Sequence, residues 1–313
     1  MNVIEVKDLV KKFKEFTAVN GISFEVREGE LFGLLGPNGA GKTTTIKMLT
    51  TLLPATSGSA VVAGFDVSKY RDEVRQNIGM VFQEPALDKQ LTGRENLDFH
   101  ARMYGLKKDV RQKRLKEVLD LVELTDKKDK LVETYSGGMQ RRLEIARGLM
   151  HAPRVLFLDE PTLGLDAQTR RKIWEYILRL NETRNTSILL TTHYMEEADV
   201  LCGRVGIMDK GKIVAADTPK NLKNTIGADV ITLDLEHGDS EAFRGLPFVK
   251  ELVKHETKIS LSLNNGEHQI PLLMEFAQSR RMKVRSVELH KPSLEDVFLR
   301  LTGATIRERN VSE

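Results

Sequence analysis

The sequence has almost no cysteine and no long apolar segment. Cys202 is the single cysteine among 313 residues, so no disulfide can form within the chain. No apolar run approaches the roughly 18 residues that a membrane-spanning helix needs. Residues 1–5 show no basic segment followed by an apolar one, the pattern that is typical of a secretory signal. Together these absences predict a soluble protein of a reducing, cytoplasmic compartment.

An excess of one charge is also missing. The 48 Lys and Arg nearly balance 45 Asp and Glu, for a net charge of +3, and no block of five or more like charges occurs. A protein that binds nucleic acid regardless of sequence usually carries a basic patch, so we expect no nucleic acid as partner. With 40% hydrophobic and 30% charged residues, the composition favours a globular chain, of two domains at about 150 residues each.

The hydrophobic pattern of residues 1–224 alternates between two kinds of segment. Apolar runs at 31–35, 155–158 and 188–190 predict buried strands. Thr92 and Glu95 have the spacing of a capping box, which predicts the start of a helix. Alternating strands and helices predict a mostly parallel sheet covered by helices. Two helical stripes lie between the strands, formed by Leu115, Val118, Leu119 and Val122 and by Ile173, Trp174, Ile177, Leu178 and Leu180.

The pattern changes to period two beyond about residue 225. Alternating apolar residues predict strands at 231–235, 259–263 and 287–289, and we expect helices around 249–253 and 270–277. A last amphipathic helix would bury apolar residues spaced i, i+3, i+4 and i+7. We therefore predict a small α+β accessory domain at 225–303, followed by a polar, disordered tail at 304–313. The last helix carries Leu294, Val297, Phe298 and Leu301.

Residues 36–43 match the phosphate-binding pattern G-x-x-x-x-G-K-[ST]. Glycines let backbone N–H groups point at phosphate oxygens, and the helix predicted to follow adds a partial positive charge. Lys42 can reach the β- and γ-phosphates of a nucleotide, and the hydroxyl of Thr43 can bind Mg²⁺. A plain turn between a strand and a helix is the alternative. The predicted nucleotide contacts are Gly36, Pro37, Asn38, Gly39, Ala40, Gly41, Lys42, Thr43 and Thr44.

Two carboxylates directly follow the apolar run at 155–158. Sheets of this kind bind ligands at the carboxyl ends of their strands. We therefore predict that Asp159 holds Mg²⁺ and that Glu160 is the general base that polarises the attacking water. An acidic surface at a strand end is the alternative, and the phosphate-binding pattern disfavours it.

Residues 135–140 resemble the signature of ATP-binding cassettes, whose usual form is Leu-Ser-Gly-Gly-Gln. The segment lies 23 residues before Asp159, as it does in that family. Tyr135 and Met139 depart from the commonest residues, whereas Ser136 is retained. The resemblance covers residues 2–222. It implies a P-loop NTPase fold with a mostly parallel sheet, an antiparallel β portion and a helical signature subdomain at about 84–150.

The resemblance also implies roles for residues outside these motifs. Phe13 corresponds to the aromatic residue that stacks on adenine, with Phe16 as the fallback. Gln83 resembles the glutamine that touches Mg²⁺ or the attacking water, and His193 resembles the switch histidine at the γ-phosphate. Asp166 belongs to a loop that crosses to the other subunit. The signature residues that would contact the nucleotide of that subunit are Ser136, Gly137 and Gly138.

One phosphate loop and one signature imply a second ATPase subunit, either a copy of this chain or a paralogue, with ATP at the interface. The missing membrane span implies an integral-membrane permease on a separate chain, which would hold this subunit at the cytoplasmic face of the membrane. Segments at 95–97, 100–105, 137–142, 163–166 and 291–298 resemble the daunorubicin-resistance type of exporter ATPase. The implied function is export of drugs, lipids or polysaccharides.

Two other functions stay open at this point. One is a soluble, non-transport ABC ATPase that acts on a macromolecular complex, although such proteins usually carry two cassettes or a long insertion. The other is a nucleotide-gated binding module without hydrolysis, which intact Glu160 and His193 disfavour.

Overall fold

The computed structural model describes residues 1–227, 229–237, 240–255 and 258–303. The tail predicted at 304–313 lies outside the described residues. The described chain divides into two compact units, Met1–Pro219 and Lys220–Gly303. Among the described residues, no helix combines the length and the hydrophobicity that crossing a bilayer requires.

The first unit contains two sheets and a series of helices. Short 3₁₀ turns at Thr125–Lys127 and Val132–Thr134 precede the signature segment. The last helix of the series leads into the second unit. In chain order the elements are β1 (Asn2–Phe13), β2 (Phe16–Arg27), β3 (Leu31–Leu35), α1 (Lys42–Leu49), β4 (Ser57–Val62), β5 (Phe65–Asp66), α2 (Arg71–Asn77), β6 (Ile78–Val81), α3 (Gly93–Met103), α4 (Lys108–Leu121), α5 (Gly137–Gly148), β7 (Val155–Asp159), α6 (Ala167–Arg184), β8 (Ser187–Thr192), α7 (Met195–Leu201), β9 (Arg204–Asp209), β10 (Lys212–Asp217) and α8 (Pro219–Asn224).

A six-stranded, mostly parallel sheet forms the centre of this unit. Its order is β10-β9-β3-β8-β7-β6, and only the pairing of β10 with β9 is antiparallel. Strands β3, β7 and β8 are buried along their whole length, as continuous apolar runs covered on both faces should be. The carboxyl ends of β3 and β7 therefore lie at one edge of the sheet, where the predicted site residues follow.

A four-stranded antiparallel sheet, β2-β1-β4-β5, packs beside the central sheet. The ring of Phe24 on β2 stacks on that of Phe32 on β3, with centroids 5.4 Å apart. Ile4, Ile46 and Phe157 belong to the same buried cluster, so α1 and both sheets share one core. This is the antiparallel portion that the family resemblance implies.

Helices α3, α4 and α5 form the helical part of the unit, and side-chain caps mark where two of them begin. The hydroxyl of Thr92 accepts a hydrogen bond from Glu95 N (3.2 Å), and the Glu95 carboxylate accepts one from Thr92 N (2.8 Å). The capping box predicted for α3 is therefore present. The Ser136 hydroxyl caps α5 by accepting from Met139 N. Tyr135 is buried and its hydroxyl donates to Lys127 O, so this departure from the usual signature anchors the segment.

The second unit is a small α+β domain. Its strands pair in the order β12-β13-β11-β14, all antiparallel, and α9 packs on β11 and β14. Ile231, Leu261 and Leu273 lie in its core. Phe298 is buried as expected for the last helix, whereas Leu301 is exposed. The elements are β11 (Asp229–His237), β12 (Val249–His255), β13 (Lys258–Leu263), α9 (Gly266–Ser279), β14 (Lys283–His290) and α10 (Leu294–Thr302).

The helix expected around 249–253 is wrong, because this segment is strand β12. Val249 and Leu252 are three residues apart, which suggests a helical spacing. In the structure they pair with Leu263 and Leu261, which are only two residues apart. A register shift between Val249 and Glu251 takes up the additional residue. A β-bulge of this kind lets both apolar side chains face the core, and it hides the period of two.

Candidate active site

An open cleft of about 590 Å³ lies at the carboxyl ends of β3 and β7. Its volume falls in the range of small-molecule sites. Residues from four distant parts of the sequence meet in it, and most of them were predicted as site residues. They are Phe16, Ala18, Asn38, Gly39, Ala40, Gly41, Lys42, Thr43, Thr44, Gln83, Glu160 and Leu163.

The phosphate loop at 36–43 connects β3 to α1, and two of its glycines are required by close backbone contacts. A side chain at Gly36 would clash with Met208 O. A side chain at Gly41 would clash with Ala18 O, and Gly41 also has φ +100°. Both positions therefore exclude a Cβ atom, and the loop can turn tightly around an anion.

Lys42 lies inside this loop with only 4% of its surface exposed. Its Nζ donates to Gly36 O and Pro37 O, both at 2.8 Å, and lies 3.4 Å from Glu160 Oε1. Burial lowers the pKa of Lys42, and the neighbouring Glu160 opposes this effect. The loop thus holds a cation where the phosphates of a nucleotide would bind.

Asp159 and Thr43 bring a carboxylate and a hydroxyl group into direct contact beside the cleft. Asp159 Oδ1 accepts hydrogen bonds from Thr43 Oγ1 (3.1 Å) and Thr191 Oγ1 (2.5 Å). Burial raises the pKa of Asp159, although both hydroxyls act in the opposite direction. Hydroxyl and carboxylate oxygens are the donors that Mg²⁺ prefers, and the amide of Gln83 lines the same cleft. The residues present therefore fit a magnesium ion.

Glu160 has a left-handed backbone, with φ +46°. Its N–H donates to Thr191 O at 3.1 Å, and its Oε1 lies 3.3 Å from His193 Nδ1. Burial acts to raise the pKa of Glu160, but His193 and Lys42 outweigh it and hold this pKa below the usual value. The carboxylate is therefore ionised at neutral pH and can accept a hydrogen bond from water.

The signature residues are not part of the same cleft. Ser136 and Gly137 lie at the amino end of α5, where Leu165 is the nearest side chain to Gly137. A side chain at Gly138 would clash with Thr169. In the part of the chain that the structure describes, Ser136, Gly137 and Gly138 do not line the cleft.

Six further predicted site residues also lie outside the lining, namely Phe13, Gly36, Pro37, Asp159, Asp166 and His193. Phe16 lines the cleft, whereas Phe13 pairs with it across the β1–β2 turn and has Lys11 Nζ 5.1 Å from its ring centroid. Asp166 caps α6, because its carboxylate accepts from Thr169 N (2.9 Å) and Thr169 Oγ1 (2.6 Å). The nucleotide contacts of Phe13 and Asp166 stay predictions.

Sequence patterns did not predict two residues that hydrogen-bond the site residues. Thr191, the penultimate residue of strand β8, hydrogen-bonds both Asp159 and Glu160. Arg141 reaches the backbone of residues 159–161 from helix α5. A threonine in an apolar strand and an arginine in a charged helix are too common to be informative. The only available signal was that Arg141 is three residues from Glu144 and six from Arg147, which places all three on one helical face.

Comparison with known proteins agrees with this geometry. Residues 19–163 match the family model described as ABC transporter, and residues 218–302 match the model of the C-terminal domain of DrrA1-3-like ATP-binding proteins. Linearmycin resistance ATP-binding protein LnrL of Bacillus subtilis is 41% identical, over 98% of this chain and all of the relative. Daunorubicin resistance ATP-binding protein DrrA2 of Streptomyces coeruleorubidus is 39% identical, over 96% of this chain and 95% of the relative.

A solved structure of similar fold is a dimer of the ATP-binding cassette MJ0796 in a post-hydrolysis state, bound to ADP and phosphate. It is 28% identical to this chain, with a TM-score of 0.62, and the match covers 69% of this chain and 98% of that one. The fold predicted from the sequence, a P-loop cassette followed by a small α+β domain, is confirmed.

Proposed function

This chain belongs to the ATP-binding subunits of ABC transporters, and from this we propose that it is the ATP-hydrolysing motor of an exporter. One observation carries the proposal for this particular chain. Lys42 and Glu160 line one cleft, and Glu160 is held ionised there. Asp159 accepts a hydrogen bond from Thr43 of the same lining, and His193, 151 residues after Lys42 in the sequence, lies 3.3 Å from the Glu160 carboxylate. A chain that only bound nucleotide would not need this base.

The reaction is transfer of the γ-phosphoryl group of ATP to water. The loop amides and Lys42 bind the phosphates, and Glu160 orients the attacking water by accepting its hydrogen bond. His193 lies 3.3 Å from the Glu160 carboxylate, and we infer that it contacts the γ-phosphate, as the switch histidine of the family does. Mg²⁺, which Thr43, Asp159 and Gln83 would bind, supplies positive charge that offsets the charge developing on the phosphate oxygens.

A second ATPase subunit completes the site. The cleft is open, and the signature residues of the same chain lie elsewhere. Helix α5 begins at Gly137 with the Ser136 cap, so its free N–H groups form an anion site like that of the phosphate loop. We infer that Ser136, Gly137 and Gly138 of one subunit bind the γ-phosphate held by the other, and that ATP joins the two subunits.

A groove next to Gln83 is the proposed attachment site of the permease. We call it the docking groove, and its volume is about 200 Å³. Arg75 and Arg147 line it and no carboxylate does among its described lining residues, while burial and Arg147 lower the pKa of His100 to about 4. It therefore fits an apolar cytoplasmic segment of a permease that carries a carboxylate. Its lining is Thr50, Leu52, Arg75, Ile78, Met80, Phe82, His100, Tyr104 and Arg147.

The names of the relatives support a proposal for the transported compound and for the location of the subunit. LnrL and DrrA2 are named as resistance proteins against linearmycin and daunorubicin, and they match this chain along nearly its whole length. We therefore propose a drug as the exported compound, within the wider class of drugs, lipids and polysaccharides. Bound to its permease, the subunit would lie at the cytoplasmic face of the membrane.

The replacement Glu160→Gln tests the proposed function. The variant should bind ATP with unchanged affinity, lose about 10²-fold in turnover because the base is missing, and accumulate as an ATP-bound dimer. Phosphate release and size-exclusion chromatography with ATP measure these effects. The control is Glu182→Gln, an exposed glutamate on α6 outside the cleft. Near-normal turnover in Glu160→Gln would contradict the assignment of the base.

A further inference from the structure

Arg141 is a buried cation whose partners are backbone carbonyl groups. It lies on α5, five residues after Ser136, with 5% of its surface exposed. Its Nε donates to Pro161 O at 2.6 Å and its Nη1 to Phe82 O at 2.5 Å. Its Nη2 lies 3.1 Å from both Asp159 O and Glu160 O. One side chain thus joins the signature helix to two loops of the active site.

These hydrogen bonds offset the cost of removing the Arg141 guanidinium from water, a cost that an apolar side chain at this position would not have. Burying a guanidinium without a carboxylate partner is unfavourable unless its N–H groups are satisfied. The carbonyls that satisfy them belong to Glu160, to its neighbours, and to the residue before Gln83. Glu160 also has a left-handed backbone, which is strained for a residue other than glycine and persists only when its surroundings hold it.

We propose that Arg141 is a positioning residue for ATP hydrolysis. It fixes the backbone of Glu160 and of the segment that carries Gln83, and it ties both to the helix whose amino end carries the signature. This inference rests on the proposed function, because it assumes that Glu160 is the base.

A second pair of contacts from the same helical face supports this assignment. Glu144 Oε1 accepts from Ala86 N at 2.9 Å, and Arg147 Nη1 donates to Ala86 O at 3.2 Å. Glu144 and Arg147 are themselves paired at 3.3 Å. Arg141, Glu144 and Arg147 therefore hold the segment from Phe82 to Ala86 at both ends, with Gln83 between them. A shift of α5 during closure of the dimer would be passed to Gln83 and Glu160 together.

The variants Arg141→Met and Arg141→Lys test the proposal. Methionine fills a similar volume without donors, and lysine can reach only part of the carbonyl groups. We expect kcat to fall at least about tenfold in Arg141→Met and to recover partly in Arg141→Lys, while the Kd for ATP stays within about twofold. The Kd should hold because Lys42 and the loop amides do not depend on these carbonyls. Phosphate release and binding of a fluorescent ATP analogue give the two numbers.

Arg114→Met is the matched control. Arg114 also donates to two backbone carbonyls, but these belong to Leu149 and Met150 and not to the segments that carry Glu160 or Gln83. The Arg114→Met variant should have a lower Tm than the wild type and an unchanged kcat at a temperature where the protein is fully folded.

Three outcomes decide the inference. A folded Arg141→Met variant with wild-type kcat would overturn it, and so would a parallel loss of kcat and ATP binding that follows the unfolded fraction. If Arg141→Met does not fold, Arg141→Lys decides alone, and unchanged kcat in that variant rejects the proposal. Glu160→Gln is assayed beside them. An active Glu160→Gln would refute the proposed function itself, whereas an inactive one beside an active Arg141→Met rejects only the role of Arg141.

Discussion

Three ionisable side chains in or next to the cleft are almost fully buried. Lys42, Asp159 and Glu160 are 4%, 3% and 6% exposed. Charges buried this far cost stability unless they are paired, and hydrogen bonds and ion pairs stabilise them here instead of solvent. The opposite pKa directions of Asp159 and Glu160 follow from their partners. At Asp159, burial and the neighbouring Glu160 charge raise the pKa more than the two hydroxyls and Lys42 lower it. At Glu160, His193 and Lys42 outweigh burial and lower the pKa.

Asp159→Asn should therefore stabilise the nucleotide-free protein at neutral pH. The raised pKa of Asp159 means that its ionised form is less favourable in the folded protein than in the unfolded chain, and asparagine removes this cost. The advantage should shrink as the pH falls through that pKa, because the wild-type carboxyl then becomes neutral too. Turnover should drop at least about tenfold through the loss of a magnesium ligand.

Urea unfolding at pH 7.5 and at pH 5 measures the difference in stability, with the exposed Asp109→Asn on α4 as control. If Asp159→Asn is less stable than the wild type at both pH values, burial is not the dominant influence on the pKa of Asp159.

At the scale of elements, periodicity predicts most strands and helices correctly. The runs that became β3, β7 and β8 are continuous because both faces of the central sheet are covered, and the capping box marks the start of α3. Strand β12 was misassigned because a bulge moves its apolar residues out of period two. A bulge depends on pairing with another strand, so the local sequence cannot reveal it.

The docking groove shows how elements combine into a surface that no single segment predicts. It is formed by the turn after α1, by α2, by β6 and by the inner faces of α3 and α5. Phe82 contributes to it and directly precedes Gln83, so an occupant of the groove would contact the loop that lines the nucleotide cleft. A permease segment bound there could thus influence hydrolysis through a short path.

Leu52→Glu should weaken the attachment of the permease. Leu52 is 52% exposed in the groove, and a carboxylate there would pair with Arg75 and repel an acidic segment. We expect co-purification with the permease to fall at least about fivefold, with unchanged ATPase activity of the isolated subunit. Val110→Glu, an exposed apolar position on α4 outside the groove, is the control. Normal co-purification of Leu52→Glu would exclude the groove as the attachment site, and absence of any membrane partner would favour the soluble alternative.

At the scale of the whole molecule, the cleft and the amino end of α5 are separate features of the described chain, and the cleft is open. The proposed function makes them the two halves of one γ-phosphate site that two subunits would form together. The division between the two compact units falls after Pro219, whereas the change of hydrophobic pattern places the accessory domain from 225. Helix α8 (Pro219–Asn224) occupies the residues between these two boundaries. Its sequence clearly shows neither the strand–helix alternation of residues 1–224 nor the period of two of the later strands.

Mixing two inactive variants tests whether two copies share their sites. Lys42→Ala removes the phosphate cation, and Ser136→Ala removes the signature hydroxyl. In a mixed dimer both defects fall in one site and the other site is intact, so equal amounts should recover about a quarter of wild-type turnover if the sites act independently. Phosphate release from the mixture, compared with each variant alone, measures this. Absence of recovery would contradict a homodimer with the signature acting across the interface.

The sequence by itself determined the family and the order of the motifs, and it predicted the residues that would carry the chemistry. It could do so because phosphate loops, capping boxes and apolar periods are local patterns imposed by backbone geometry. Only the tertiary structure decided which of these residues meet, how burial moves the pKa values of Lys42 and Asp159, and that Thr191 and Arg141 hydrogen-bond the backbone of Glu160. Those properties depend on distances and on exclusion of water between segments far apart in the chain, and no local pattern encodes them.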